Sequence, residues 1–250
     1  MKYENLRKYN VTGQYLPIGA LPTTVAWYPA DTKSNFLSTP NEHQDSWNQK
    51  SKIAYKINEY GFRSDTFPEE EMRDSITFLG CSLTFGIGIQ EELSWPALVS
   101  EHFNLKKINL GIPAGSLDSA FRVYNEWQPV HKSKITCVLR PPGQRMELYS
   151  KNNWVNVGHW SLNTLSWIPV TLAIGLLDST FTTANYARNT AAIKYIAQET
   201  ESSVVMLTPD NALFLNYKDE MGRDGQHPGM VWHRQVADEF IKQIITQRGE

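Results

Sequence analysis

The stretch DSITFLGCSLTFGIG, Asp74 to Gly88, decides how this chain is read. Ser75 to Leu79 is a short β-rich apolar run halted by Gly80, the mark of a strand running into a tight turn. The pattern then repeats. Ser94 opens SWPALVSEHF as an N-cap candidate ahead of apolar residues at helical spacing. Lys107 to Leu110 reads as a second strand, ended by Gly111-Ile112-Pro113, and Ser116 to Trp127 as a helix with Leu117, Ala120, Phe121 and Tyr124 on one face. Ile135 to Leu139 is a third strand, stopped by Pro141-Pro142. Beyond a stretch of weak periodicity at about 143–180, a helix is expected from about Thr183 to Glu199 and a fourth strand from Val204 to Leu207. Val231 to Ile245 closes the chain as an amphipathic helix. Short apolar strands alternating with helices predict an α/β fold, a parallel sheet covered by helices on both faces. Ligands in such folds sit beyond the carboxyl ends of the strands, so chemistry is sought in the loops that follow them.

Working outward, residues 1–73 have a different texture, polar and rich in Asn, Thr, Tyr and Pro, and end in the acidic Pro68-Glu69-Glu70-Glu71. They read as an N-terminal extension of turns and short strands packed on the core formed by 74–250. The 250 residues carry 41% hydrophobic and 20% charged side chains, ordinary for a globular chain and unlike a disordered polymer or a coiled coil. Two cysteines, Cys81 and Cys137, cannot build a disulfide framework. Net charge is −2 with no Lys/Arg block, which gives no electrostatic case for nucleic acid. MKYENLRKYN lacks the apolar core of a signal peptide, and Trp167 to Leu177, the longest apolar stretch, is too short to span a bilayer. The expectation is a soluble, cytoplasmic protein without a membrane span. The sequence is silent on oligomeric state.

Ser82 stands on the glycine-flanked turn Gly80-Cys81-Ser82-Leu83-Thr84-Phe85-Gly86 after the first strand. A nucleophilic serine needs such a place, open to a base on one side and to backbone N–H groups on the other. A glycine-flanked serine is also common in plain turns. Gly86-Ile87-Gly88-Ile89-Gln90-Glu91 lacks the third glycine of a dinucleotide fingerprint, and no Lys-Ser or Lys-Thr pair makes a phosphate-binding loop. Thr84 occupies the second glycine position of a G-x-S-x-G elbow. Of six histidines, His43, His102, His131 and His159 have no nearby acid in an informative pattern and read as surface or packing residues. His227 differs: Asp224 precedes it by three residues in the loop Arg223-Asp224-Gly225-Gln226-His227-Pro228-Gly229. In a turn, that spacing lets the carboxylate reach Nδ1 while Nε2 faces a nucleophile. Trp154, Trp160 and Trp167 fall close together in the 143–180 insertion. They serve either as anchors fixing it to the core or as an apolar wall for a substrate. No H-E-x-x-H and no C-x-x-C is present, so no metal is implied.

Taken together, these motifs resemble the SGNH/GDSL hydrolase family. Its first block is a G-D-S-like turn after the first strand, read here as FLGCSLTFGIG (Phe78 to Gly88) with Cys81 where the family name has Asp. The second block resembles Asn109 to Ser116, and the last resembles DGQHPGMVWHRQVADEF (Asp224 to Phe240), which includes His233. Asn58-Glu59-Tyr60-Gly61-Phe62-Arg63 is similar to the N-x-x-G-F-R turn that often precedes the core. The resemblance covers roughly residues 55–140 and 203–245. It implies a three-layer α/β/α sandwich with a mostly parallel, flavodoxin-like sheet, and an ester hydrolase acting without a cofactor. Ser82 would be the nucleophile, His227 the general base and Asp224 the group orienting it. The oxyanion hole would come from the amides of Ser82 and of Ala114 or Gly115. In the family a third donor is an asparagine in a G-x-N-D block; here Gly143-Gln144-Arg145-Met146 puts Arg145 in its place, with Gln144 beside it. Losing one such donor costs on the order of 10²–10³ in rate. The implied substrate is a small-molecule or glycan ester, acyl or acetyl, on a carbohydrate or a lipid. The competing reading is a catalytically silent binding module on the same fold.

Overall fold

The computed structural model describes residues 21–28, 30–48, 52–150, 153–158, 161, 175, 178–209 and 220–249. In chain order, the first elements are β1 (Thr23–Val25), α1 (Lys33–Leu37), α2 (Asn41–Asn48) and β2 (Tyr55–Ile57). β3 (Ser75–Leu79), the single turn α3 (Ser82–Phe85), α4 (Trp95–Phe103) and β4 (Lys106–Asn109) follow. Then come α5 (Leu117–His131), β5 (Ile135–Leu139), the hairpin β6 (Met146–Ser150) and β7 (Asn153–Val157), α6 (Ser179–Glu199), β8 (Ser203–Leu207) and α7 (Met230–Arg248).

The central sheet has the order β4-β3-β5-β8, and every pairing in it is parallel. Counted along the chain this is 2-1-3-4, the flavodoxin-like arrangement. Strand alternation sorts the side chains to two faces. Ile76, Phe78, Ile135, Cys137, Leu139, Val205 and Leu207 point to one face, where α4 and α7 cover them. There the Trp95 and Phe240 rings stack at 4.5 Å. Leu79, Ile108 and Val138 belong to the other face, beneath Val123, Tyr124 and Trp127 of α5 and Ile193 of α6. Both faces are mainly apolar, as a sheet buried on both sides requires, and the hydroxyls of Thr77 and Thr136 on the second face are hydrogen-bonded to Ser133 and Tyr124. The expected three-layer α/β/α sandwich is the fold of this chain.

Residues 21–57 differ from the expectation of turns and strands alone, since they include α1 and α2. Each of these helices buries one large apolar side chain, Phe36 and Trp47 respectively, too sparse a pattern to signal a helix. β1 and β2 form an antiparallel pair. Tyr28, Phe36, Trp47, Tyr55 and Ile57 share a cluster with Phe85, Ile87 and Ile89, so this segment packs against the chain just after Ser82. Among the described residues no helix is long and apolar enough to cross a membrane.

Candidate active site

Ser82 is placed by the abrupt end of β3. Gly80 has φ +154°, and a side chain there would put its first carbon 2.1 Å from Thr84 Oγ1, so the turn demands glycine. Cys81 is buried and caps α3, whose first residue is Ser82. The Cys81 carbonyl accepts from the amides of Thr84 and Phe85, and the Ser82 carbonyl from that of Gly86 (2.9 Å). The Ser82 amide, at the start of the turn, has no partner within it, as first-turn amides do not.

Asp224 and His227 meet within one loop. Asp224 Oδ2 lies 2.6 Å from His227 Nδ1, while Oδ1 accepts from the amides of Gln226 (3.2 Å) and His227 (3.1 Å). The carboxylate therefore fixes both the backbone of the turn and the orientation of the imidazole. Burial alone would raise the Asp224 pKa. The hydrogen bond from His227, the histidine's charge and the two amides outweigh it and hold the carboxyl below its ordinary range. A carboxylate on Nδ1 leaves Nε2 as the ring nitrogen available to a reacting group.

The two loops are joined at Gly88. Its carbonyl accepts from the Arg223 amide (2.8 Å). At φ +80°, a side chain on Gly88 would meet Asp224 Oδ1 at 2.9 Å. Only a glycine lets the chain after Ser82 approach the Asp224–His227 loop so closely. No hydrogen bond joins the Ser82 hydroxyl to His227 among the described residues. Such contacts are commonly loose before a substrate enters.

After β4, Asn109 ties the second loop to the first. Its Nδ2 donates to Thr84 O (2.9 Å), and its Oδ1 accepts from the Gly111 amide (3.0 Å). Ile112 to Gly115 make a turn with Pro113 second, Ala114 third at φ +60°, and the Gly115 amide bonded to Ile112 O (2.8 Å). The Gly115 N–H is thus committed to the turn, and of the two amides Ala114's lies outside that bond. Arg145 Nη1 reaches Gly115 O at 3.4 Å, while Gln144 is exposed. The loops after β3, β4 and β5 all leave the carboxyl edge of the sheet.

Trp154 sits on β7 with the Arg122 guanidinium 4.8 Å over its ring and Tyr149 at 5.1 Å. That is the packing of an anchor on α5. Trp160 and Trp167 lie outside the described residues, as does His159. His43 is more than a surface residue, because its Nε2 is 3.3 Å from the carbonyl of Arg223. His131 is fully buried with Nε2 3.1 Å from Pro68 O. His233 is buried in α7, where Nδ1 accepts from the Trp95 amide (3.2 Å).

Sequence reading missed Asp31 and Tyr55, which the fold brings to Arg223 and Gly88. They carry no motif, and their partners are remote in sequence, Arg223 at 192 positions from Asp31 and Gly88 at 33 from Tyr55.

No family model and no curated protein matches this chain. It is similar to solved structures of low identity. The psychrotrophic esterase EstA from Pseudoalteromonas sp. is 15% identical over 71% of this chain and 100% of its own, with a TM-score of 0.38. A protein described as lipolytic and of the G-D-S-L family, from Desulfitobacterium hafniense, is 12% identical over 68% and 98%, with a TM-score of 0.36. A variant of the acetylxylan esterase Axe2 from Geobacillus stearothermophilus is 13% identical over 71% and 96%, with a TM-score of 0.37. In its motifs the chain resembles the SGNH/GDSL hydrolases.

Proposed function

We propose that this protein is a serine hydrolase of acyl or acetyl esters. The observation that carries the reading is the Asp224–His227 contact of 2.6 Å, on a loop that Gly88 joins to the Ser82 turn. Ser82 attacks the ester carbonyl as His227 Nε2 takes its proton. The same nitrogen then returns the proton to the leaving alcohol, and water repeats the cycle to free the acid. Asp224 holds the ring tautomer and stabilises the imidazolium. The amides of Ser82 and Ala114 receive the oxyanion, with Arg145 as a charged third donor in place of an asparagine. The substrate would be an acetylated or acylated carbohydrate, or a lipid ester, met at the carboxyl edge of the sheet near the Arg145 guanidinium. The hydrolase unit spans 74–250, preceded by the 1–73 extension, whose described residues pack against it.

The test is labelling with a fluorophosphonate probe. Wild type is expected to label and Ser82→Ala to lose labelling entirely, with unchanged folding by circular dichroism. Labelling that survives in Ser82→Ala, or is absent in wild type, removes the serine mechanism. The latter result favours a ligand-binding module on the same fold, for which the replacement of the family's third oxyanion donor by Arg145 is the supporting observation.

A further inference from the structure

The resemblance leaves the first fifty residues without a role, yet part of them grips the loop that carries Asp224 and His227. Asp31 is fully buried and accepts from Arg223 Nε (3.0 Å) and Nη2 (2.6 Å) and from the Tyr55 hydroxyl (2.6 Å). The same hydroxyl accepts from the Gly88 amide (2.8 Å), and the Gly88 carbonyl accepts from the Arg223 amide (2.8 Å). The bonds therefore close a ring: Arg223 side chain, Asp31, Tyr55, Gly88, Arg223 backbone. It joins the N-terminal segment, the chain after the nucleophile and the residue next to Asp224.

Other contacts from the same segment fall on the same loop. Trp27 lies 3.9 Å beneath the Arg223 guanidinium, which also donates to Ala26 O. Trp47 Nε1 donates to Met221 O (3.3 Å), and His43 Nε2 lies 3.3 Å from Arg223 O. Thr39 closes on Gly225, where an added side chain would come within 2.6 Å of its Cγ2. A buried ion pair of this kind is a weak source of net stability compared with apolar residues of the same size. Its geometry, bidentate and shared with a tyrosine, is by contrast highly directional.

We propose that residues 21–57 form a clamp on the acid–base loop, with Asp31 as the positioning residue that sets, through Arg223, where the Asp224–His227 pair sits relative to Ser82. Asp31 touches neither the substrate nor the reacting atoms. It acts by fixing the residue before Asp224. The role in turnover rests on the esterase reading, whereas the clamp on the hydrogen-bonded pair does not.

The experiment compares wild type, Asp31→Asn and Tyr55→Phe in three measurements: turnover of p-nitrophenyl acetate, melting temperature, and the downfield proton resonance of the Asp224–His227 hydrogen bond. Misplacing a catalytic group by about 1 Å can cost on the order of 10² in rate. Asp31→Asn is therefore expected to lower kcat about 10- to 100-fold with KM within about threefold, and to broaden or shift the resonance. Tyr55→Phe, which removes only the hydroxyl linking Asp31 to Gly88, is expected to move both readouts in the same direction by less. It carries the test alone if Asp31→Asn does not fold. A fall in melting temperature with kcat and resonance unchanged would mean ordinary packing and overturn the proposal. If wild type neither turns over nor labels, the esterase reading fails, and the clamp is judged on the resonance. Loss of the signal in the variants then supports it, and a signal identical to wild type overturns it.

Discussion

At Ala114 the chain holds an L side chain at φ +60°, where Cβ crowds the following carbonyl at a cost of about 1–2 kcal/mol. The turn closed by the Gly115 amide imposes that conformation, and Pro113 before it fixes the entry. The same constraint fixes the direction of the Ala114 N–H, the donor proposed for the oxyanion. An alanine survives in this region where a β-branched residue is a severe outlier. Ala114→Val is accordingly expected to lose about 1–2 kcal/mol, about 3–6 °C in Tm, and to lower kcat more than it raises KM. Ala114→Gly should keep the wild-type kcat, since the proposed donor is the backbone. Thermal melts and steady-state ester kinetics on both variants check this. A drop in kcat for the glycine variant equal to that of the valine variant would remove Ala114 from the site.

The β6–β7 hairpin is fixed to α5 by charge as well as by Trp154. Arg122 donates to Glu147 through Nε (2.6 Å) and Nη2 (2.8 Å), with the two side chains only 15% and 2% exposed. Asp118, in the first turn of α5, accepts from the Glu147 amide (3.2 Å), Arg188 Nη2 (3.0 Å) and Asn189 Nδ2 (2.8 Å), drawing α6 to the same place. Arg122→Ala leaves the Glu147 carboxylate buried without its bidentate partner and is expected to cost about 3 kcal/mol. Replacing both residues by methionine should recover most of that loss, because an apolar pair of similar volume avoids the desolvation. Urea denaturation of the single and double variants measures the difference. Equal losses in the two would show that the hairpin depends on the ion pair itself.

One contribution to the acid response of the whole fold comes from its core. His233 packs between α7 and α4, and its pKa is pushed down to about 3 by burial first, then by the charges of Arg63 and His227. The unfolded chain takes up a proton at this histidine near its ordinary value of about 6.5, and the folded chain does not. Stability from this site is therefore full above about pH 6.5 and falls as the pH drops toward 3. Asp224 acts in the same sense at lower pH: its depressed carboxyl stabilises the fold above the ordinary carboxylate range, and that is lost as the pH falls through the folded value. His233→Gln, which keeps an acceptor for the Trp95 amide without titrating, is expected to flatten the decline. Between about pH 7 and about pH 4 its urea midpoint should fall less than that of wild type. Parallel declines would show that proton uptake at His233 does not drive the acid loss.

The central strands were legible because their pattern is local. Ser75–Leu79 and Ile135–Leu139 are short β-rich runs, largely apolar and ended by turn residues, and both strands match the sequence reading to the residue. Helix ends were read less well. α5 continues through Pro129 to His131, beyond the Trp127 expected, because Trp127 and His131 are both buried and tertiary packing outweighs the proline's local preference. Of the site, the sequence alone placed Asp224 three residues before His227 and Ser82 on a turn after a strand, since those relations lie within single loops. Only the tertiary structure brought Asp31 and Tyr55 to Arg223 and Gly88, and only it committed the Gly115 amide to Ile112. Contacts such as that of Asp31 with Arg223, 192 positions apart, leave no periodicity in a sequence. They exist only once the sheet has ordered its strands and buried polar groups have found the partners that desolvation demands.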